Sequence, residues 1–207
     1  MNWKTLIIGA LAMATTATAQ PVVSKTEHTT TATAQAILAG GCFWCVESDM
    51  LKLAGVISAT SGYTGGTIAN PTYENYHHPK AGEQPHVEAV QITYNPAKLE
   101  YKALLEYYVR HIDPTDNGGQ FCDRGAAYRP VIFTANEAEK TIVQQVLAAA
   151  EKQLKQKVNV DVLPATTFWP AEDYHQNYHH KNPTKYKFYR WNCGRDQRVQ
   201  QLWGNIK

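Results

Sequence analysis

The segment that most restricts the fold of this chain is Ala36-Ile37-Leu38-Ala39-Gly40-Gly41. A short apolar run fits a buried strand, and the paired glycines end it, because glycine enters a tight turn with little steric cost. Directly after them Phe43, Val46, Met50, Leu51 and Leu53 recur at helical spacing, so the chain passes from strand to helix within a few residues. The alternation continues. Val56-Ile57 and Thr60 lead as a strand into the turn-rich Tyr63-Thr64-Gly65-Gly66, and residues 67–85 read as a long loop with three prolines. Residues 87–94 alternate as a strand with Glu88, Val90, Ile92 and Tyr94 on one side, and Glu100 to His111 reads as a helix ended by Asp113-Pro114. Tyr128 to Phe133 forms another strand, Asn136 caps a long helix through about Lys155, and residues 158–163 alternate as a last strand. Interleaved strands and helices around one sheet predict an α+β fold. We expect a two-layer α/β sandwich of the ferredoxin-like (α/β plait) type, with a long irregular C-terminal tail from Pro164 onward wrapping the domain.

Composition excludes several other classes. The chain has 207 residues, 43% of them hydrophobic and 18% charged, which is ordinary for a folded protein and unlike a disordered or low-complexity one. Such a length suits one domain with a sizeable core. A formal net charge of +2 gives no strong grip on nucleic acid. No window of about 18 apolar residues exists, so no spanning helix is expected. Four cysteines are too few for a disulfide scaffold.

The first residues have the order of a targeting segment. Lys4 supplies a positive region, Leu6 to Ala14 a short apolar one, and Ala17-Thr18-Ala19 a small-x-small cleavage pattern. We therefore expect residues 1–19 to be a signal peptide cleaved before Gln20, residues 20–35 a flexible lead-in, and residues 36–207 a single catalytic domain. The mature protein is expected to be periplasmic or secreted, with no membrane insertion after cleavage.

The chemistry begins at Gly40-Gly41-Cys42-Phe43-Trp44-Cys45. A cysteine in the first turn of a helix meets unpaired backbone N–H groups and the positive end of the helix dipole. Both favour thiolate, so Cys42 is expected to be a nucleophile with a lowered pKa. Cys45 gives Cys-x-x-Cys spacing, which suits a redox pair and equally a buried structural pair. Phe43 and Trp44 read as core aromatics or as the wall of an apolar pocket beside the thiol.

The segment resembles the active-site motif of the A-type peptide methionine sulfoxide reductases, which act on the S epimer of the sulfoxide. Further matches follow in order. Gly55-Val56, Ser61-Gly62-Tyr63-Thr64-Gly65-Gly66, Asn70-Pro71-Thr72-Tyr73-Glu74 and His86-Val87-Glu88-Ala89-Val90 are similar to successive motifs of that family. Asp113-Pro114-Thr115, Asp123-Arg124-Gly125, Tyr128-Arg129 and Pro170-Ala171-Glu172-Asp173-Tyr174-His175-Gln176 continue the series, so the resemblance runs from about Ala36 to Gly204. The chain departs from the family at Pro85, where glycine is usual, and at Cys45 and Cys122, which are not general family features.

The resemblance implies a role for each residue. Cys42 attacks the electrophilic sulfur as thiolate. Glu88, its pKa raised by burial, supplies the proton with which the oxygen leaves. Tyr73 and Tyr128 donate hydrogen bonds to that oxygen, Asp123 binds the substrate or a site water, and Phe43 and Trp44 hold the methyl group. Release of methionine leaves Cys42 as a sulfenic acid, which a second thiol traps as a disulfide. The family often keeps its resolving cysteine in the tail, which ranks Cys193 first, with Cys45 and Cys122 behind it. No cofactor or metal is implied. The implied partners are proteins or peptides carrying methionine sulfoxide, and thioredoxin or a thioredoxin-like protein as reductant, with the enzyme a monomer.

Other readings compete. An exported thiol-disulfide oxidoreductase would use Cys42 and Cys45 and need neither Glu88 nor Tyr73. A secreted binding module would lock all four cysteines in bridges. His77-His78 and His179-His180 lack zinc-finger spacing and read as solvated, and Lys181 to Arg198 reads as a solvated wrap.

Overall fold

A computed structural model describes Met1 and residues 32–204; the expected signal peptide and most of the lead-in lie outside the described residues. The described elements begin with strand β1 (Ala34–Ala39), helix α1 (Phe43–Met50), β2 (Val56–Thr64), β3 (Val87–Tyr94) and α2 (Tyr101–Arg110). A short hairpin of β4 (Gly119–Gln120) and β5 (Asp123–Arg124) and a 3-10 turn at Ala126–Tyr128 lead to β6 (Val131–Thr134). Then come α3 (Glu137–Leu154), β7 (Asp161–Pro164), β8 (Trp169–Pro170), α4 (Tyr178–Lys181), α5 (Pro183–Asn192) and α6 (Arg195–Trp203). The first strand starts at Ala34, so it takes in two residues expected to belong to the lead-in.

The main sheet has the order β7-β6-β1-β3-β2-β8, antiparallel throughout except for the parallel β6–β7 pair. Alternation along the strands divides its side chains between two faces. Leu38, Val90, Ile92 and Ile132 meet Phe43, Val46 and Met50 of α1, Leu104, Leu105 and Tyr108 of α2, and Val143 and Val146 of α3. Each such large side chain taken from water contributes roughly 1.5–3 kcal/mol. The opposite face buries a smaller cluster, Ala39, Val87, Ala89, Val131 and Phe133, under Leu163 and Phe168. Glu88 belongs by register to the helix-covered face, with Val90 and Ile92, and lies at the end of β3 next to the start of α1. A single carboxyl is thereby carried into an apolar layer.

Gly41 sets the turn between β1 and α1. Its φ is +80°, and a Cβ there would stand 2.5 Å from Gln120 Cβ, so a side chain is excluded by both conformation and space. Gln120 is wholly buried, accepts from Asp113 N–H at 2.8 Å and donates to the Asp113 carbonyl at 2.8 Å. Asp113 in turn receives Thr115 N–H and Arg198 Nε. The long loop closes with comparable economy. Gly66 lies against the backbone of residues 84–86, where a Cβ would be within 2.6 Å of main-chain atoms, and His86 donates its N–H to the Tyr76 carbonyl at 2.8 Å. Pro85 is accommodated because the hydrogen bonds here, Thr67 N–H to the Gln84 carbonyl and His86 N–H to the Tyr76 carbonyl, need no N–H from it.

The expected irregular tail is a correction. Residues 164–177 are mostly irregular, but α4, α5 and α6 follow, and Lys181 to Arg198 is not a solvated wrap. Pro183 stands at the first turn of α5, where its missing N–H costs nothing. Tyr186 and Arg195 are buried, and Arg190 binds Asp49 of α1 at 3.0 Å. The aromatic composition hid a helix whose inner face is polar: its partners are buried carboxylates and carbonyls, which leave no apolar period to read. His179 is likewise half-buried against Tyr186, not solvated. Before α4, Gln176 bonds both main-chain groups of Ser61, and the buried Glu47 accepts from Ser61 Oγ at 2.6 Å and from Asn177 N–H at 2.7 Å.

Candidate active site

Cys42 is the N-cap residue of α1, and its carbonyl accepts from the N–H of Cys45 at 3.0 Å. Its side chain is 7% exposed at the floor of a cavity of about 60 Å³ lined by Cys42, Phe43, Trp44, Tyr73, Glu88, Asp123, Tyr128 and Tyr189. All seven residues expected for attack, proton donation and substrate binding therefore line one cavity, drawn from α1, β3, the long loop, β5 and the 3-10 turn.

Glu88 is 2% exposed. Phe43 N–H donates to its Oε2 at 2.9 Å, and Tyr76 OH lies 3.0 Å from its Oε1. Burial pushes the carboxyl up to about 8, against the lowering influence of those two bonds, so it is largely protonated at neutral pH. With Oε2 committed to an N–H donor, the acid proton belongs on Oε1, on the side of Tyr76. That phenol also lies 3.5 Å from Tyr128 OH. Tyr128 is pushed up to about 12, chiefly by burial and then by the Glu88 charge, so it stays a donor at physiological pH.

The expected lowering of the Cys42 pKa is not found. Burial pushes the thiol well up, and the Cys45 side chain and the Glu88 charge act in the same direction; only Tyr189 opposes them. Removal from water is the largest of these influences. Cys45, also buried and free, is brought down to about 7, first by its hydrogen bond with Cys42 and further by Arg195 and Arg190.

Cys193 is bonded to Cys122, not to Cys42. Cys193 caps the C-terminus of α5, and Cys122 is exposed in the β4–β5 turn. The two sulfurs and the Asp123 carboxylate lie within 4.8 Å of one another. Asp123 accepts a short hydrogen bond from Tyr189 OH, which is itself hydrogen-bonded to Cys42. The bridge thus stands directly behind one wall of the cavity, with Tyr189 between it and Cys42.

Four functional neighbours escape a sequence reading. Tyr76 holds Glu88, and Tyr189 joins Cys42 to Asp123. His175 Nδ1 accepts from Trp44 Nε1 at 3.0 Å, while the Trp44 ring lies flat on Tyr178 with centroids 3.7 Å apart. Glu172 accepts from Tyr63 OH and from Tyr73 N–H, both at 2.9 Å, and so fixes the loop carrying Tyr73. Glu172 and His175 stood in the Pro170–Gln176 motif but without a role, while the only prior signal for the other two was position: Tyr76 lies three residues beyond Tyr73, and Tyr189 four before Cys193.

The peptide methionine sulfoxide reductase family matches residues 34–207. The peptide methionine sulfoxide reductase MsrA 2 of Caulobacter vibrioides is 44% identical over 202 residues, covering 97% of this chain and 98% of its own length. Among solved structures, methionine sulfoxide reductase A of Corynebacterium diphtheriae is similar with a TM-score of 0.63 and 28% identity, over 73% of this chain and 76% of that one. Reduced Mxr1 from Saccharomyces cerevisiae gives a TM-score of 0.66 and 27% identity, over 73% and 87% of the two chains. Mxr1 has also been solved in complex with Trx2, a likeness of fold at 21% identity and a TM-score of 0.50, over 70% and 84% of the two chains. With the family matched from the first strand of the sheet onward, and a 44% identical relative covered almost end to end, the chain belongs to the peptide methionine sulfoxide reductase family.

Proposed function

We infer that, within the methionine sulfoxide reduction for which its family is named, this protein takes the S epimer and passes the oxygen to Cys42. The observation that carries the reading is a protonated, buried Glu88 held by Phe43 and Tyr76 in the same 60 Å³ cavity as a free thiol. Phe43 and Trp44 receive the methyl group, and the oxygen lies among Glu88, Tyr73 and Tyr128. Cys42 bonds the sulfur while Glu88 gives its proton to the oxygen. The phenols strengthen their hydrogen bonds as charge builds on that oxygen. Methionine leaves, and Cys42 remains as a sulfenic acid. One nucleophile, one acid and one methyl pocket fix the handedness of attack, which favours a single epimer.

Recycling uses Cys193 as the resolving thiol and Cys122 as its partner. Cys193 traps the sulfenic acid with loss of water, and Cys122 then displaces Cys42, leaving the Cys122–Cys193 bridge for a thioredoxin-type reductant. The bridge in the described structure supports this order. On the same reading the succession β1-α1-β2-β3-α2-β6 is a ferredoxin-like plait, and the chain acts as a monomer. Residues 1–19 direct export, so a reductant outside the cytosol serves it. Incubation with each epimer of a methionine sulfoxide peptide and dithiothreitol tests the reading: methionine is expected from the S epimer alone, and equal turnover of both would refute it. N-terminal sequencing of exported protein, with Gln20 expected first, tests the address.

A further inference from the structure

The cavity holds only the end of a side chain. At about 60 Å³ it has room for a few heavy atoms, since one water takes about 30 Å³ in the liquid. The chain that carries the sulfoxide must therefore lie across the mouth. Two motif residues that take no part in the chemistry, Glu74 and Tyr174, stand there.

His175 fixes the mouth relative to the cavity. It is 1% exposed, and its ring centroid lies 4.9, 5.6 and 4.5 Å from those of the cavity residues Phe43, Trp44 and Tyr73, and 4.2 Å from that of Tyr174. One buried ring thus supports three walls of the cavity and one aromatic side chain outside it. Tyr73 is 38% exposed and Tyr174 56%, so the aromatic wall continues past Tyr73 into solvent. Two carboxylates border it. Glu172 Oε1 accepts from Tyr73 N–H at 2.9 Å, which sets that carboxylate against the backbone beside the exposed Glu74. Burial first, and then the charges of Glu172 and Glu74, raise the Tyr174 phenol, so both carboxylates lie near its hydroxyl.

These carboxylates have no counter-cation. Burial would raise Glu172, but hydrogen bonds from the Tyr73 and Glu172 N–H groups and from Tyr63 hold it below its ordinary value, and it is charged at neutral pH. Among the described residues neither Glu74 nor Glu172 pairs with a lysine or arginine. His175 does not supply the charge. Its Nδ1 accepts from Trp44 Nε1, so the hydrogen is on Nε2, which is buried without a partner and stops 3.9 Å from Glu172 Oε2; burial disfavours a second proton. Lys181 donates instead to the Asp173 carbonyl. An exposed aromatic ring beside unpaired carboxylates suits a cation, because the ring face attracts it and a carboxylate completes its charge.

We propose that Tyr174, Glu74 and Glu172 form a subsite for a lysine or arginine side chain next to the methionine sulfoxide, so that this protein selects oxidised segments with a cationic neighbour. The proposal rests on the sulfoxide reductase reading, which supplies the occupant of the cavity. The alkyl stem of the neighbour lies on the Tyr174 ring and its charged end meets the carboxylates. Such contacts hold the substrate equally before and during attack, so they act on KM and leave kcat unchanged. The field of the whole chain works the other way: a formal net charge of +2 favours acidic segments. A preference for cations therefore has a local source.

Peptides of one length, with the S sulfoxide flanked on both sides by lysine, glutamine or glutamate, test the subsite with dithiothreitol as reductant. KM is expected to rise in that order by roughly threefold at each step with kcat constant, and the spread should shrink in high salt because the subsite is exposed. Glu74→Gln and Tyr174→Ala alter exposed side chains outside the cavity. Each should cut the lysine advantage over glutamine by about half and leave kcat and KM for free methionine sulfoxide as they are. Equal KM for the three peptides, a lysine preference that both variants keep, or a rise in KM shared by every substrate overturns the proposal. A wild-type protein that reduces neither the peptides nor the free sulfoxide overturns the reductase reading instead.

Discussion

Replacing Glu88 by glutamine isolates the charge of a carboxyl from its shape. Glutamine keeps one oxygen for the Phe43 N–H, and its amide can donate to Tyr76, whose hydroxyl turns to accept. What it loses is the proton. Burial raises Glu88 from 4.5 to about 8, which at about 1.36 kcal/mol for each tenfold change in proton affinity comes to roughly 4–5 kcal/mol. Because the folded-state value is the higher one, the folded protein holds a proton that the unfolded chain has lost. Wild-type stability is therefore full below pH 4.5 and falls as pH rises to about 8. Glu88→Gln escapes that loss. Urea denaturation of both proteins, run with the bridge intact, should give similar stabilities at pH 4.5 and an advantage of several kcal/mol for the variant at pH 9. Other titrating groups are common to both and cancel in the difference. The same variant should release methionine about 10²-fold more slowly, the scale of losing a positioned acid. A stability difference that stays constant from pH 4.5 to 9 would show that Glu88 ionises in its ordinary range and cannot hold a proton for the oxygen.

Tyr76→Phe removes a hydrogen bond that stabilises the Glu88 carboxylate, so the alkaline limb of the pH–rate profile should move upward while kcat/KM falls roughly tenfold; an unmoved limb would count against the contact. Cys193→Ser should release one methionine per enzyme and then stop with a thioredoxin-type protein, while dithiothreitol rescues turnover in part. Cys122→Ser should also lose turnover with the protein reductant, since the bridge joins these two residues; normal recycling would remove Cys122 from the relay. His175→Phe leaves the Trp44 N–H without its acceptor, at a cost of about 1–3 kcal/mol in stability, and should raise KM for the sulfoxide several-fold with little change in kcat; an unchanged KM would separate the indole's position from substrate binding.

How far the sequence foretold this arrangement depended on whether the forces at each place leave a local pattern. The strand, glycine turn and helix at Ala36 to Met50 were legible, since apolar alternation, glycine and helical spacing all act over a few residues. Asn136 was legible for the same reason, and its side chain accepts from Glu139 N–H. Helix α5 was not, because its inner face is Tyr186, Tyr189 and Arg190, whose partners are Asp123 and Asp49 far back in the chain. The candidate residues drawn together in the cavity were named through motifs, whereas Tyr76 and His175 are defined by hydrogen bonds across 12 and 131 residues. The thiol pKa was misjudged on similar grounds: helix capping could be read from order in the chain, but the burial that raises the pKa comes from residues far apart in sequence, Tyr73, Glu88, Tyr128 and Tyr189 among them.

The tail accounts for the division of labour between the cysteines. Cys42, at 7% exposure in a 60 Å³ cavity, can meet the sulfinyl end of a side chain but not the active site of a folded reductant. Electrons must therefore enter elsewhere, at a sulfur that a protein can touch, and Cys122 is the exposed one. Cys193, bonded to Cys122, is flanked in the chain by two anchors, Arg190 on Asp49 and Arg195 on the Gly40 and His111 carbonyls. Gly194, with φ +65°, separates the helices that carry these arginines. Transfer from Cys42 to Cys122 then requires Cys193 to change partners while its anchors hold. Movement confined to the Asn192–Gly194 junction meets that requirement, whereas release of both arginines would expose the buried charge they share with Asp49. Hydrogen exchange across residues 186–200 distinguishes the two: protection of α5 and α6 should survive reduction of the bridge, and its loss would mean that the whole tail detaches.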